Sequence, residues 1–194
     1  MHRINIRKLV GIALFTAIVI VLQLLGSFIK FGTFSISLVL IPIVVGAAVY
    51  GWRTGAWLGF VFGAAVLLSG DATLFFNINP IGTVVTVLLK GTLAGFASGL
   101  VYKMLEGKNK YLAVFTAAVV CPVVNTGVFL LGSSVFFLDT ITEWAQAAGF
   151  EGALGSYMII GLVGLNFVFE LVFNLVLSPA AVTLIKIGQK RTQE

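Results

Sequence analysis

Residues 9–29 read LVGIALFTAIVIVLQLLGSFI, twenty-one positions without a single Asp, Glu, Lys or Arg. At about 1.5 Å per helical residue this run spans the roughly 30 Å of a bilayer's hydrocarbon. Five more apolar stretches follow it, and the charged residues fall almost entirely in the gaps between them. Hydrophobic residues make up 59% of the chain and charged residues 10%, with a mean hydropathy of +1.11. A water-soluble fold of 194 residues would leave much of that surface wet; lipid removes the difficulty, because it is as apolar as the side chains it meets. The runs are continuous and lack the period-two alternation of barrel strands. The sequence therefore predicts an all-α, six-transmembrane-helix bundle forming a single integral membrane domain over residues 1–194.

The predicted spans are 9–29, 36–50, 56–68, 83–104, 112–138 and 157–185. Residues 51–55, with Trp52 suited to the headgroup level, read as a tight turn. Residues 69–82 read as a loop capped into the fourth span, and 139–155 as a longer loop carrying Glu143, Trp144, Gln146 and Glu151. Pro122 is expected to interrupt the fifth span. Arg3, Arg7, Lys8, Arg53, Lys103, Lys108, Lys110, Lys186, Lys190 and Arg191 fall on one side of this arrangement, with Lys30, Asp71, Asp139, Glu143 and Glu151 on the other. The positive-inside rule then places both termini in the cytoplasm, which an even number of spans satisfies.

Several functions are disfavoured at this level. The net charge of +5 sits beside membrane segments, so it reads as topology and headgroup contact, not nucleic-acid binding. One cysteine, Cys121, and one histidine, His2, permit neither an intrachain disulfide nor a structural zinc site. No cofactor or metal is expected. The first apolar run is too long for the core of a cleavable signal peptide. No phosphate-cradling loop, zinc-protease motif or serine or cysteine with a histidine partner occurs, so the chain is not expected to hydrolyse ATP or act as a hydrolase.

Small residues recur every four positions at Gly59 and Gly63, at Gly91, Gly95 and Gly99, and at Ala13 and Ala17. Such rows let helices approach closely. Polar residues inside spans are the better pointers to a site, because hydrocarbon tolerates them only when they are paired or used. Lys90 lies roughly 12 Å into the fourth span. Asn125 and Thr126 follow Pro122, and Asn166, Glu170 and Asn174 share one helical face by their spacing of four. Two readings remain open. Lys90 and Glu170 form a buried ion pair, or Lys90, Asn125 and Asn166 line an outward-opening pocket for a polar or anionic ligand, with Glu170 one turn deeper.

In combination these pieces resemble the S components, the substrate-binding membrane subunits of energy-coupling factor (ECF) vitamin transporters. The resemblance covers essentially the full length. It rests on the basic start leading into Ala13-Leu14-Phe15-Thr16-Ala17, on Lys90-Gly91-Thr92-Leu93-Ala94-Gly95, on Pro122-Val123-Val124-Asn125-Thr126-Gly127, and on Asn166-Phe167-Val168-Phe169-Glu170. It implies a subunit without catalysis that captures a water-soluble vitamin from outside. Ala13 and Ala17 would dock on a membrane coupling subunit bound to two cytoplasmic ATPases, and the S component would topple to deliver the vitamin inside. Lys90, Asn125, Asn166 and Glu170 would contact the vitamin, with Phe31, Asn79 and Trp144 from the connecting loops. A lysine among several amides suits a ligand with one carboxylate and hydroxyl or amide groups. Pantothenate is therefore preferred over riboflavin, a pyridoxine-like vitamin, folate or cobalamin. Nickel or cobalt is disfavoured, because the S components for those metals use an extended N-terminal histidine motif. Two other classes fit the residues less well. A lipid-modifying enzyme or assembly factor lacks an activated nucleophile, and a self-sufficient carrier lacks an internal repeat or a proton relay.

Overall fold

The computed structural model describes residues 6–28, 30–31, 34–35, 37–150 and 152–193, with side chains described for 6–28, 37–150 and 152–190. His2, Arg3 and Glu151, and the side chains of Lys30, Phe31 and Arg191, lie outside the described residues. The elements are α1 (Ile6–Gly26), a two-residue antiparallel ladder of β1 (Lys30–Phe31) with β2 (Phe34–Ser35), α2 (Leu40–Tyr50), α3 (Trp52–Ser69), α4 (Thr73–Ile78), α5 (Pro80–Leu105), α6 (Lys110–Phe136), α7 (Leu138–Ala147), α8 (Leu154–Ser156), a π-helical turn (Tyr157–Leu162) and α9 (Gly164–Gln193). Among the described residues five helices are long and apolar enough to cross a membrane: α1, α3, α5, α6 and α9.

The second predicted span is the main departure. Its helix has 11 residues, about 16 Å at the α-helical rise, and begins at Leu40, not at residue 36. Eight of those residues are buried, from Leu40 to Ala48, and α2 touches α1, α3, α5, α6 and α9. It is apolar all round because protein surrounds it, which from sequence looks the same as a lipid-facing span. The predicted turn at 51–55 contracts to Gly51, whose φ of 99° lies in the left-handed region open to glycine; α3 starts at Trp52. The predicted loop at 69–82 contains α4, and the one at 139–155 contains α7.

The tightest packing joins α3 to α5. A Cβ on Gly55 would strike the backbone carbonyl of Gly95, one on Gly59 that of Gly91, and one on Gly63 the Val87 carbonyl oxygen at 2.7 Å. The two backbones are thus in contact along three turns, as the spacing of four allows. By contrast α1 is peripheral: Val19, Gln23 and Gly26 are its buried residues. At one end of the bundle Lys8, Arg53, Lys103 and Lys110 surround a depression of about 670 Å³. At the other, α4 and α7 cover an aromatic cluster built on Phe75, Phe129 and Phe137.

Gly59→Val places side-chain carbon against a carbonyl that cannot retreat without separating α3 from α5. It should destabilise the protein by at least about 1–3 kcal/mol, seen as a lower unfolding midpoint in detergent. Gly107→Ala, where an added Cβ meets nothing within 4 Å, should leave the midpoint in place. Equal midpoints for the two variants would contradict the seam.

Candidate functional site

Lys90 stands beside Gly91, so the glycine seam that fixes α5 also fixes the lysine. It is partly buried and lines two small adjoining cavities. The first, of about 50 Å³, is bounded by Gln23, Ser37, Val66, Asp71, Ala72, Phe75, Lys90, Phe129 and Asn166. The second, of about 30 Å³, is bounded by Lys90, Asn125, Thr126, Phe129, Val163 and Asn166. Lys90, Phe129 and Asn166 belong to both. The Lys90 amine lies 5.4 Å from the Phe129 ring centroid and 5.9 Å from that of Phe62, within reach of cation–π attraction. Glu170 and Asp71 both act on it electrostatically.

The acceptors around it are only partly used. Asn166 Nδ2 donates to Glu170 Oε1 at 3.1 Å, one turn apart on α9 as the spacing of four requires. Asn125 is 4% exposed and Glu170 1%. Asn125 Oδ1, Asn166 Oδ1 and Glu170 Oε2 have no hydrogen-bond partner among the described residues. The amine therefore does not close a direct bond onto Glu170 Oε2. Buried polar atoms without partners cost about 1–3 kcal/mol each, and three of them lie near one lysine.

Of the residues singled out from sequence, Lys90, Asn125 and Asn166 line the cavities, and Glu170 joins them through Asn166. Asn79 does not line them: its Oδ1 accepts from the Gly82 N–H at 2.9 Å and caps α5. Trp144 stands one layer back, its ring 5.7 Å edge-on from Phe75. Phe31 lies on β1, with its side chain outside the described residues. Ala13 and Ala17 are both exposed on α1, and Ala13 lines a groove of about 610 Å³ between α1 and α3. Sequence reasoning passed over Gln23, which is 1% exposed and donates through Nε2 to Asp71 Oδ2 at 2.7 Å. The signal was available, since an amide inside the first span falls under the same rule that selected Asn125.

Pro122 does not break α6, which runs unbroken from Lys110 to Phe136. Proline has no N–H to give the carbonyl four residues back, which is that of Ala118. Asn174 supplies the donor from α9, its Nδ2 3.2 Å from Ala118 O. Asn174 thus ties α9 to α6 and is separate from the cavity set.

The chain belongs to a family of membrane transport subunits: it matches the family described as "ECF transporter, substrate-specific component" over residues 7–182. It is the substrate-specific component of an ECF transporter, a multi-pass cell-membrane protein and not an enzyme, and it works with the coupling and ATPase subunits general to such transporters. A curated relative is the pantothenic acid transporter PanT of Lactococcus lactis subsp. cremoris (strain MG1363), 28% identical over 188 residues that cover 88% of this chain and 89% of the relative. No solved structure matches the chain significantly.

Asn174→Leu should lower stability by about 1–3 kcal/mol through the orphaned Ala118 carbonyl, with ligand affinity retained. Adding Pro122→Ala returns an N–H to that carbonyl and should recover most of the loss. Additive losses in the double variant would contradict the assignment.

Proposed function

We propose that this subunit captures pantothenate. Support comes from Lys90 among the unpartnered oxygens and amides of Asn125, Asn166 and Glu170, a set suited to one carboxylate plus hydroxyl and amide groups. The similarity to PanT over most of both chains points the same way. Lys90 takes the carboxylate, Asn125 and Asn166 bond the polar groups, and Glu170 orients Asn166. The observation that carries the reading is the meeting of Lys90 and Asn166 at both cavities.

Cavities of about 50 and 30 Å³ hold a water or two, whereas a small-molecule site needs roughly 300 Å³ or more. In this reading the vitamin enters by displacing the cover of Phe75, Phe129 and Trp144, and Phe31 is a further contact. Asn79, occupied as a cap, is left out of the contact set.

The same proposal gives the chain six passes as one membrane domain, α2 completing the count with the residues that precede it. The end bearing Lys8, Arg53, Lys103 and Lys110 lies in the cytoplasm by the positive-inside rule, with both termini. Ala13 and Ala17 offer an exposed small-residue strip for a helix of the coupling subunit, which two ATPases power.

Lys90→Ala should weaken pantothenate binding at least about tenfold, roughly 1.4 kcal/mol, without unfolding the protein; calorimetry showing unchanged affinity would contradict the reading. Ala17→Trp should leave binding intact and abolish uptake in cells carrying the whole transporter. Normal uptake by that variant would move the docking face elsewhere.

A further inference from the structure

Of the five long apolar helices, the one least buried in the bundle sends one polar side chain into the cavity. Around Gln23, α1 presents Ile20, Val21, Leu24 and Leu25 outward, while Gln23 is 1% exposed and lines the larger cavity with Lys90, Asn166 and Ser37. A primary amide in such surroundings is costly unless both its ends are bonded.

One end is bonded. The amide nitrogen donates to Asp71 Oδ2 at 2.7 Å, the carboxylate oxygen being the acceptor. That fixes the rotation of the amide and turns Oε1 away from Asp71. Gln23 Oε1 is buried and has no hydrogen-bond partner among the described residues. An acceptor held in one orientation by its own nitrogen, beside the lysine and asparagine of the site, is complementary to an O–H or N–H donor.

We propose that Gln23 contacts the vitamin, its side-chain carbonyl accepting a hydrogen bond from a hydroxyl or amide N–H of the ligand while its nitrogen stays on Asp71. This rests on the reading of the Lys90 site as the pantothenate site and adds a contact from the first helix. Lys90 binds the acid end and Gln23 reads a donor elsewhere on the molecule.

The test is calorimetric titration of the full chain in detergent with pantothenate, comparing the natural protein with Gln23→Met, which keeps the length of the side chain and removes the carbonyl. The expected loss is about tenfold, with the unfolding midpoint of the ligand-free protein retained. If Gln23→Met folds poorly, Gln23→Asn withdraws the amide by one methylene and should lose affinity similarly. The two monodeoxy pantothenates and the N-methyl amide separate contact from positioning of Asp71. One of the three should bind the natural protein about tenfold more weakly yet lose less than about threefold on going to the variant. Unchanged pantothenate affinity in the variants, or equal losses for all three analogues on both proteins, overturns the Gln23 contact and leaves the Lys90 reading standing. A natural protein that binds no pantothenate overturns both.

Discussion

A lysine amine carried into an apolar bundle must be matched by groups that offset its desolvation, and the surroundings of Lys90 are organised by that requirement. Two carboxylates, on Glu170 and Asp71, act on it from different elements, and two aromatic faces, of Phe62 and Phe129, lie within cation–π range. None of this holds unless α5 keeps its place. Gly91, which meets the Gly59 backbone in the α3–α5 seam, directly follows the lysine in sequence, so one constraint on packing also sets the depth and direction of the charge. The asparagines of α6 and α9 then complete a polar island whose acceptors are incompletely used among the described residues.

Much of this was readable before any coordinates. Glycine and alanine rows at a spacing of four became the α3–α5 seam and an exposed strip on α1, because the spacing that exposes small residues is the helical repeat itself. The same periodicity put Asn166, Glu170 and Asn174 on one face, and intramembrane polarity marked Lys90 and Asn125. What stayed hidden depended on tertiary surroundings. An 11-residue helix enclosed by five others has the same apolar composition as a lipid-facing span, so α2 read as longer than it is. Pro122 read as an interruption because the donor that rescues its orphaned carbonyl sits 56 residues away on Asn174.

Loop residues were the least legible. Asn79 carries a polar side chain next to a proline, and from sequence alone a helix cap and a ligand contact look alike; in the fold its Oδ1 accepts from the Gly82 N–H and caps α5. Trp144 became part of an aromatic layer over Phe75 instead of a wall of the cavity. Gln23 is the converse case: it lines the cavity from α1, and the rule for polar residues in spans applies to it as it does to Asn125.

The central claim is that Lys90 and its neighbours recognise a vitamin through its negative charge. The most direct measurement compares the affinity of the purified chain for pantothenate with its affinity for the corresponding uncharged alcohol, in the natural protein and in Lys90→Ala. The account predicts that the natural protein prefers the acid by at least about tenfold and that the preference disappears in the variant. A preference that survives removal of the lysine, or no preference in the natural protein, would contradict it.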